Sequence, residues 1–280
     1  GFKFKKFSKH PQLINLRTEK LRRNYNWFLE KGFNEKSIQN YPRLLELSVK
    51  ANLEPTYSWF LSKNINLNSL SKKPYLLSKN INSLEKRYNY LIKKNFDEKR
   101  ILNNPQLLGR NIDTLDKNLD WFLKKGFDKK ALMKNPALLG KSIKDNLEPT
   151  YNWFLEHSFD DKAVKRYPQG LASSIENRLE KNYNWFLEEG FNMDKINQNP
   201  QLMFQSVEGN LEPTYNFIID EMGFPKKSVL NVPSYIYGSL DRMKECFYYM
   251  VDDLGFPKEL VNRSYILQYA SEALVISNQK

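Results

Sequence analysis

The feature that most constrains the fold of this chain is a string that returns about every 31 residues. Residues 126–142 read GFDKKALMKNPALLGKS, and related strings stand at residues 32–48 and 190–206. A fixed period of this size is typical of a solenoid, in which each unit packs on its neighbours. Proline marks the register at intervals of 31 to 33 residues: Pro11, Pro42, Pro74, Pro105, Pro136, Pro168, Pro200 and Pro233.

Each repeat opens with the signals of an amphipathic helix. In the stretch NLEPTYNWFLEHS, Pro149 is placed for the first turn of a helix, where its missing N–H costs nothing. Leu147, Tyr151, Phe154 and Leu155 recur at helical spacing and predict one apolar stripe. An aromatic residue holds one register position in this stripe, and we expect it to be core rather than a base-stacking platform: Trp27, Trp59, Tyr90, Trp121, Trp153 and Trp185.

A corner and a second, shorter helix follow. Ten residues before most of the prolines stands a residue that we expect to adopt the left-handed conformation: Gly32, Asn64, Asn95, Gly126, Ser158, Gly190 and Gly223. Asp128 then predicts an N-cap, and Phe127 is placed to pack on Leu132 one turn into the second helix. The next proline ends this helix, and the short string after it predicts a single tight turn.

These signals predict an all-α solenoid or superhelix of about eight to nine repeats of roughly 31 residues. Each repeat consists of a helix, a short helix, a proline stop and a one-turn 3₁₀ element. We expect a single repeat domain over residues 1–280, with degenerate capping repeats at 1–20 and 240–280. The last of these includes a ninth unit around Ser264, which stands near the expected proline.

The charge of the chain indicates a polyanionic partner. The formal net charge is +12, and residues 1–50 hold 12 Lys and Arg against 4 Asp and Glu, whereas residues 211–280 hold 7 against 9. This asymmetry favours nucleic acid or an acidic protein face, with charge for solubility alone as the alternative. No apolar run approaches the roughly 20 residues that span a bilayer, so we expect no membrane partner.

The sequence offers no constellation for catalysis or metal binding. One cysteine, Cys246, and two histidines, His10 and His157, are too few for a structural zinc site. Cys246 stands in the apolar string KECFYYM, where we expect a buried, inert thiol. Neither a P-loop nor a dinucleotide-binding glycine motif occurs, so we expect no cofactor and no enzyme activity.

Cations recur at matched positions of the repeat. Two residues after the cap of the second helix stand Lys36, Lys99, Lys130 and Lys162, six residues after it stand Lys72, Lys134 and Arg166, and Arg100 flanks this row. These positions are one turn apart and share a helix face. In the turn after the proline, Lys79, Arg110 and Lys141 hold one position. Such a ladder suits a phosphate backbone, although lysines also populate solvated helix faces.

The repeats of this chain resemble those of a known protein family. The strings LEPTYNWFLEHSFDDKAVKRYPQGL and LEPTYSWFLSKNINLNSLSKKPYLL are similar to repeats of the mitochondrial transcription termination factor (mTERF) family, and the resemblance covers roughly Pro11 to Ala270. It implies a left-handed superhelix of helix–helix–3₁₀ units. It also implies an organellar protein that binds double-stranded DNA or structured RNA along a basic concave surface. No catalytic residues carry over from the family.

The resemblance implies a regulator of organellar gene expression that acts in transcription termination or control, or through ribosomal RNA. The alternative is a structural component or assembly factor of an organellar ribosome, holding RNA and protein together. Ribosomal or transcription proteins would then contact the C-terminal repeats. We expect a monomer in the mitochondrion, with the plastid as the alternative. The chain starts at Gly1 without Met, which indicates a processed or truncated product from which any transit peptide is already missing.

Overall fold

The computed structural model describes residues 11–65 and 67–258, and within these ranges the backbone forms helices and turns without strands. The predicted all-α helical-repeat solenoid is confirmed. The expected ninth unit around Ser264 lies outside the described residues, as do residues 1–10 of the expected N-terminal cap. Contacts divide the chain into two compact units, residues 1–141 and 142–280.

The first unit holds repeats 1 to 4. Each consists of a first helix, a second helix and a 3₁₀ turn that starts at proline, called the proline turn below. The first helices are Thr18–Glu30, Val49–Leu53 continued by Glu54–Ser62, Ile81–Lys93 and Ile112–Lys124. The second helices are Glu35–Asn40, Leu67–Ser71, Glu98–Asn103 and Lys129–Lys134. The proline turns are Pro42–Glu46, Pro74–Ser78, Pro105–Gly109 and Pro136–Gly140, and a further turn, Pro11–Asn15, precedes repeat 1.

The second unit holds repeats 5 to 7 and the first helix of repeat 8. The first helices are Ile143–Leu147 continued by Glu148–Glu156, Ile175–Leu179 continued by Glu180–Glu189, Val207–Leu211 continued by Glu212–Asn216 and Phe217–Glu221, and Leu240–Tyr248 continued by Tyr249–Asp253. The second helices are Asp161–Arg166, Met193–Asn197 and Lys226–Asn231. The proline turns are Pro168–Ala172, Pro200–Phe204 and Pro233–Ile236.

The corner between the two helices has the predicted geometry. The left-handed conformation occurs at all seven expected positions, with φ between 55° and 82°. Asp128 accepts a hydrogen bond from the backbone N–H of Lys130, and Asp97 caps the second helix of repeat 3 in the same way through Arg100. Phe127 and Leu132 are both buried, as expected of a staple across the first turn.

The hydrophobic core runs through each unit as a series of identical layers. The residue after each tryptophan is a fully buried phenylalanine at the following positions: Phe28, Phe60, Phe122, Phe154 and Phe186. Each proline turn buries its proline and the apolar side chains that follow it. Of the expected core tryptophans, Trp27 and Trp153 are buried, while Trp59, Trp121 and Trp185 are half-buried.

Two residues that were expected in the core lie at the surface. Leu155 is 40% exposed, although Leu147, Tyr151 and Phe154 of the same predicted stripe are buried. The stripe is therefore narrower than the sequence pattern indicates, because Leu155 lies at its edge, next to solvent. Cys246 is exposed as well, since the apolar contacts of its helix are made by Phe247, which is buried.

Candidate nucleic-acid interface

The lysines of the second helices are exposed at both ladder positions. In the first unit, Lys36, Lys99 and Lys130 hold the position two residues after the cap, and Lys72 and Lys134 hold the position six residues after it. Lys162 and Arg166 hold the same two positions in the second unit and are also exposed. The buried side chains of these helices, such as Ile101 and Leu132, lie between the two positions. The cations therefore occupy the solvent side of the second helices of repeats 1 to 5.

A side chain of the ladder joins neighbouring second helices. The guanidinium of Arg100 in repeat 3 donates a hydrogen bond of 2.6 Å to the carbonyl oxygen of Lys134 in repeat 4. In the second unit, the backbone N–H of Asp160 donates to the carbonyl oxygen of Asn197 at 3.1 Å. The start of one second helix thus meets the end of the next, which brings Lys99 and Arg100 towards Lys134. Arg100 is both a ladder cation and a cap for the final carbonyls of its neighbour.

In the first unit, the cations that follow the proline turns form a second set, called the column below. Lys79, Arg110 and Lys141 each directly follow a proline turn, and the proline turns of repeats 2, 3 and 4 pack on one another in sequence. Arg110 is exposed, whereas Lys79 and Lys141 are half-buried. The amide of the buried Asn118 donates to the carbonyl oxygen of Lys141 at 2.7 Å. This hydrogen bond fixes the backbone beneath one cation of the column.

A cleft with two tyrosine rings lies at the start of this column. It has a volume of about 430 Å³ and is lined by Asn40, Tyr41, Arg43, Leu44, Leu47, Tyr75, Ser78 and Lys79. The ring centroids of Tyr41 and Tyr75 lie 5.5 Å apart at an interplanar angle of 39°. Burial raises the pKa of Tyr75, and the nearby charge of Arg110 opposes this shift. Aromatic faces beside cations can stack on bases and contact phosphates.

The cleft lies between a ladder position of the second helices and the cations after the proline turns. Asn40 stands six residues after the cap of its second helix, at the position that Lys72 and Lys134 hold in repeats 2 and 4. Lys79 belongs to the column after the proline and lines the same cleft. The sequence pattern does not indicate the tyrosine pair, because Tyr41 and Tyr75 occupy different positions of the repeat. They meet only when repeats 1 and 2 are stacked.

Many acids of the first helices are neutralised within the protein. Glu54 accepts hydrogen bonds from the indole N–H of Trp27 at 2.6 Å and from Lys31 at 3.1 Å, both from the preceding repeat. Glu85 accepts in the same way from Trp59 and Lys63, and Asp116 from Tyr90 and Lys94. Each acid is paired with one lysine, so these contacts link neighbouring repeats and leave the net charge of the surface unchanged.

The lowered pKa values of these acids reflect the same contacts. The hydrogen bond from Trp27 is the main cause that lowers the pKa of Glu54. Burial raises the pKa of Glu85, but hydrogen bonds from Trp59 and Lys63 outweigh it, so the pKa is lowered. The hydrogen bond from Lys94 lowers the pKa of Asp116.

The part of the chain that the structure describes contains neither a metal-binding cluster nor a membrane-spanning helix. Within residues 11–65 and 67–258, three or more His, Cys, Asp or Glu side chains nowhere converge to hold a metal ion. Among the helices of the same ranges, none combines the length and the apolar character that crossing a membrane requires. The register of exposed cations remains the main candidate for a binding surface.

Comparison with known proteins places the chain in a family. No curated protein matches the sequence. The family model described as mTERF, in contrast, matches residues 4–104 and 131–266, which together make up most of the chain. The first matched region includes repeats 1 and 2 and both helices of repeat 3 and ends before Pro105, and the second region includes repeats 5 to 7. The chain therefore belongs to the mTERF family.

Proposed function

We propose that this protein is a nucleic-acid-binding regulator of organellar gene expression. The observation that carries the proposal is the set of cations at matched positions of the repeat, which are exposed on the second helices of repeats 1 to 5 and of which Arg110 is exposed after the proline turns. Membership of the mTERF family supports the same function. The ligand is double-stranded DNA or structured RNA, bound through its phosphates, and the activity is control of transcription or binding of ribosomal RNA. The protein acts by occupying its target and not by catalysis.

The chemistry of the ladder favours recognition of the backbone over recognition of base sequence. Most of its members are lysines, which act as point charges on phosphates, whereas arginine reads guanine edges with two hydrogen bonds. Arg100, one of three arginines in the set, already donates to a protein carbonyl. We therefore expect steep dependence on salt and modest dependence on sequence.

The test is binding to duplex DNA, single-stranded RNA and structured RNA across a salt series. The decisive variant reverses charge at Lys99→Glu, Lys130→Glu and Lys162→Glu. Each lost phosphate contact should reduce the slope of log affinity against log salt by about 0.9 for duplex DNA. The matched control is Lys86→Glu, Lys117→Glu and Lys181→Glu, three exposed lysines at one position of the first helices. Equal losses in both triple variants would show that the ladder is the wrong surface.

A second candidate function is a structural or assembly role in an organellar ribosome. Its support is the last described repeat, where Tyr249, Leu254 and Phe256 are 56%, 53% and 49% exposed. Exposed apolar side chains of this size suit a protein contact. Preference for structured RNA in the salt series, together with co-purification in a ribosomal particle, would favour this function. A free monomer that binds duplex DNA would favour the regulator.

A further inference from the structure

A second cleft continues the cleft that contains the two tyrosine rings. It has a volume of about 390 Å³ and reaches the start of the first helix of repeat 3, where Asn80 and Asn82 line it. The two clefts share Leu47, Ser78 and Lys79. They therefore form one groove, called the twin cleft below. Each half has the size of a small-molecule site, which is about 300–1,000 Å³ in proteins.

The charged groups that line the twin cleft are cations. Arg43 and Lys79 line it, and the described residues of its lining include no Asp or Glu. Four acids stand on the helices and proline turns that form its walls, and each bonds to a residue outside the lining: Glu35 to Tyr25, Glu46 to Gln12, Glu54 to Trp27 and Lys31, and Glu85 to Trp59 and Lys63. The twin cleft therefore suits an anionic ligand.

The aromatic wall of the twin cleft is held from behind. Tyr75 is half-buried and lies against Gly109, where an added Cβ would come within 3.2 Å of the ring atom Cε2. Tyr41 is 36% exposed and packs on Tyr75 with the ring centroids 5.5 Å apart. Tyr75 thus supports Tyr41, whose ring offers accessible aromatic surface. A ring that is already positioned in this way stacks on a base at a low cost in side-chain entropy.

The polar groups of the twin cleft suit the sugar and phosphate of a nucleotide. Lys79 lines both halves, so an anion bound by it lies between the tyrosines and the amides of the second half. These amides belong to Asn52, Asn80 and Asn82, and a carboxamide nitrogen can donate to a sugar hydroxyl or a phosphate oxygen. Arg43 supplies a second cation on the tyrosine side.

We propose that the twin cleft binds one unpaired nucleotide, with its base stacked on Tyr41 and its phosphate held by Arg43 and Lys79. An aromatic face and cations within one cleft are the combination by which proteins hold unstacked bases. Stacking tolerates any base, because every base has a π-face, so we expect little preference among the four bases.

A nucleotide of this kind can belong to a strand or be free in solution, and the column favours a strand. Lys79 is the first cation of the column, and Arg110 and Lys141 follow the next two proline turns, which pack on one another. A strand that places one nucleotide in the twin cleft can continue along these cations with its next phosphates. The inference therefore rests on the proposed function, and it favours structured RNA with unpaired nucleotides over a fully paired duplex.

Three short RNA duplexes of one sequence test the inference. The first is fully paired, the second carries one bulged nucleotide, and the third carries an abasic residue at the bulge. Fluorescence anisotropy with the full chain should show at least about fivefold tighter binding of the bulged duplex than of the abasic duplex, because only the bulged duplex has a base to stack. Lys79→Ala should weaken binding of both, since both contain the phosphate.

Variants of Tyr41 locate the effect in the twin cleft. Tyr41→Ala should abolish the difference between the bulged and the abasic duplex, whereas Tyr41→Phe should retain it, because phenylalanine keeps the stacking ring. The matched control is Tyr167→Ala in the second unit. Tyr167 also directly precedes a proline turn, but the next proline turn has Gln201 at the position of Tyr75. This control should retain the difference, and circular dichroism with urea unfolding confirms that each variant is folded.

AMP alone serves as the probe for a free nucleotide. Binding of AMP that is lost in Tyr41→Ala would support the twin cleft as a nucleotide site and make the free nucleotide its ligand. Equal affinity for the bulged and abasic duplexes, without binding of AMP, would overturn the inference and leave the ladder as the sole contact with nucleic acid. Failure of the proposed function gives a different result, because none of the three duplexes then binds.

Discussion

At the scale of single residues, the corner residue of repeat 5 adopts a left-handed backbone conformation that costs free energy. Glycine would adopt this conformation without that cost. Ser158 adopts φ of 61°, where the same position of repeat 1 holds Gly32 at 81°. The left-handed region costs a residue with a Cβ about 1–2 kcal/mol, and the added freedom of glycine in the unfolded chain offsets part of this. We expect Ser158→Gly to stabilise the protein by about 0.5–1 kcal/mol, measured as a higher urea midpoint.

The reverse change at Gly32 provides the control. A Cβ at Gly32 meets no atom within 4 Å, so Gly32→Ser adds backbone strain without a clash. It should destabilise the protein by about the same amount as Ser158→Gly stabilises it. If Ser158→Gly lowers the urea midpoint, then hydrogen bonding by the serine side chain outweighs the backbone cost and the prediction is wrong.

The same residues show what the sequence could predict. Signals that act within one repeat, such as left-handed corner residues, helix caps and prolines, were sufficient to predict the repeat, its register and its core. Contacts between repeats were not predictable, because they depend on which side chains face one another after stacking. The pairing of Trp27 with Glu54, the Tyr41–Tyr75 cleft and the exposure of Leu155 are all of this second kind. Pro149 lies in the first turn of the α-helix Glu148–Glu156, as predicted, but the π-helical turn Ile143–Leu147 that precedes this helix was not predicted.

At the scale of elements, neighbouring proline turns pack a large side chain against a glycine, and repeats 5 and 6 do so in the reverse order of repeats 2 and 3. Leu76 in repeat 2 packs beside Gly109 in repeat 3, and a Cβ at Gly109 would lie 3.0 Å from the Leu76 side chain. In the second unit the sizes are reversed. Gly170 takes the place of the leucine, and the ring of Phe204 lies only 2.1 Å from where its Cβ would be.

This reversal predicts strong coupling between Gly170 and Phe204. Gly170→Leu alone forces the phenyl ring out of its site, and Phe204→Gly alone leaves a void, each with a loss of about 3 kcal/mol. The double variant recreates the pairing of repeats 2 and 3 and should recover at least about 2 kcal/mol of the summed loss. A double-mutant cycle from urea unfolding measures the coupling. If the losses of stability in the two single variants simply add in the double variant, the two side chains are not coupled and the prediction is wrong.

At the scale of the whole molecule, the acids that link consecutive first helices should make stability depend on pH. The stability of a repeat protein is approximately a sum of terms within repeats and between neighbours, so small changes at each joint accumulate. The pKa values of Glu54, Glu85 and Asp116 are lowered by hydrogen bonds from the preceding repeat. Because the pKa of each carboxyl is lower in the folded state, the stabilisation by its ionised form is complete above the pKa of the unfolded state. It is lost as the pH falls through the folded value.

We therefore expect the free energy of unfolding to fall between about pH 5 and pH 3, as the three carboxylates take up protons. Because these side chains are 41%, 37% and 45% exposed, each pair contributes at most about 1 kcal/mol. The triple variant Glu54→Gln/Glu85→Gln/Asp116→Asn should be less stable than the parent at pH 7 and should show a flatter dependence on pH. Urea titrations at pH 7, 5, 4 and 3 measure both effects. Glu30→Gln/Asp120→Asn, which removes two exposed acids of first helices, is the control. A parent and triple variant with parallel pH profiles would place the acid sensitivity elsewhere in the chain.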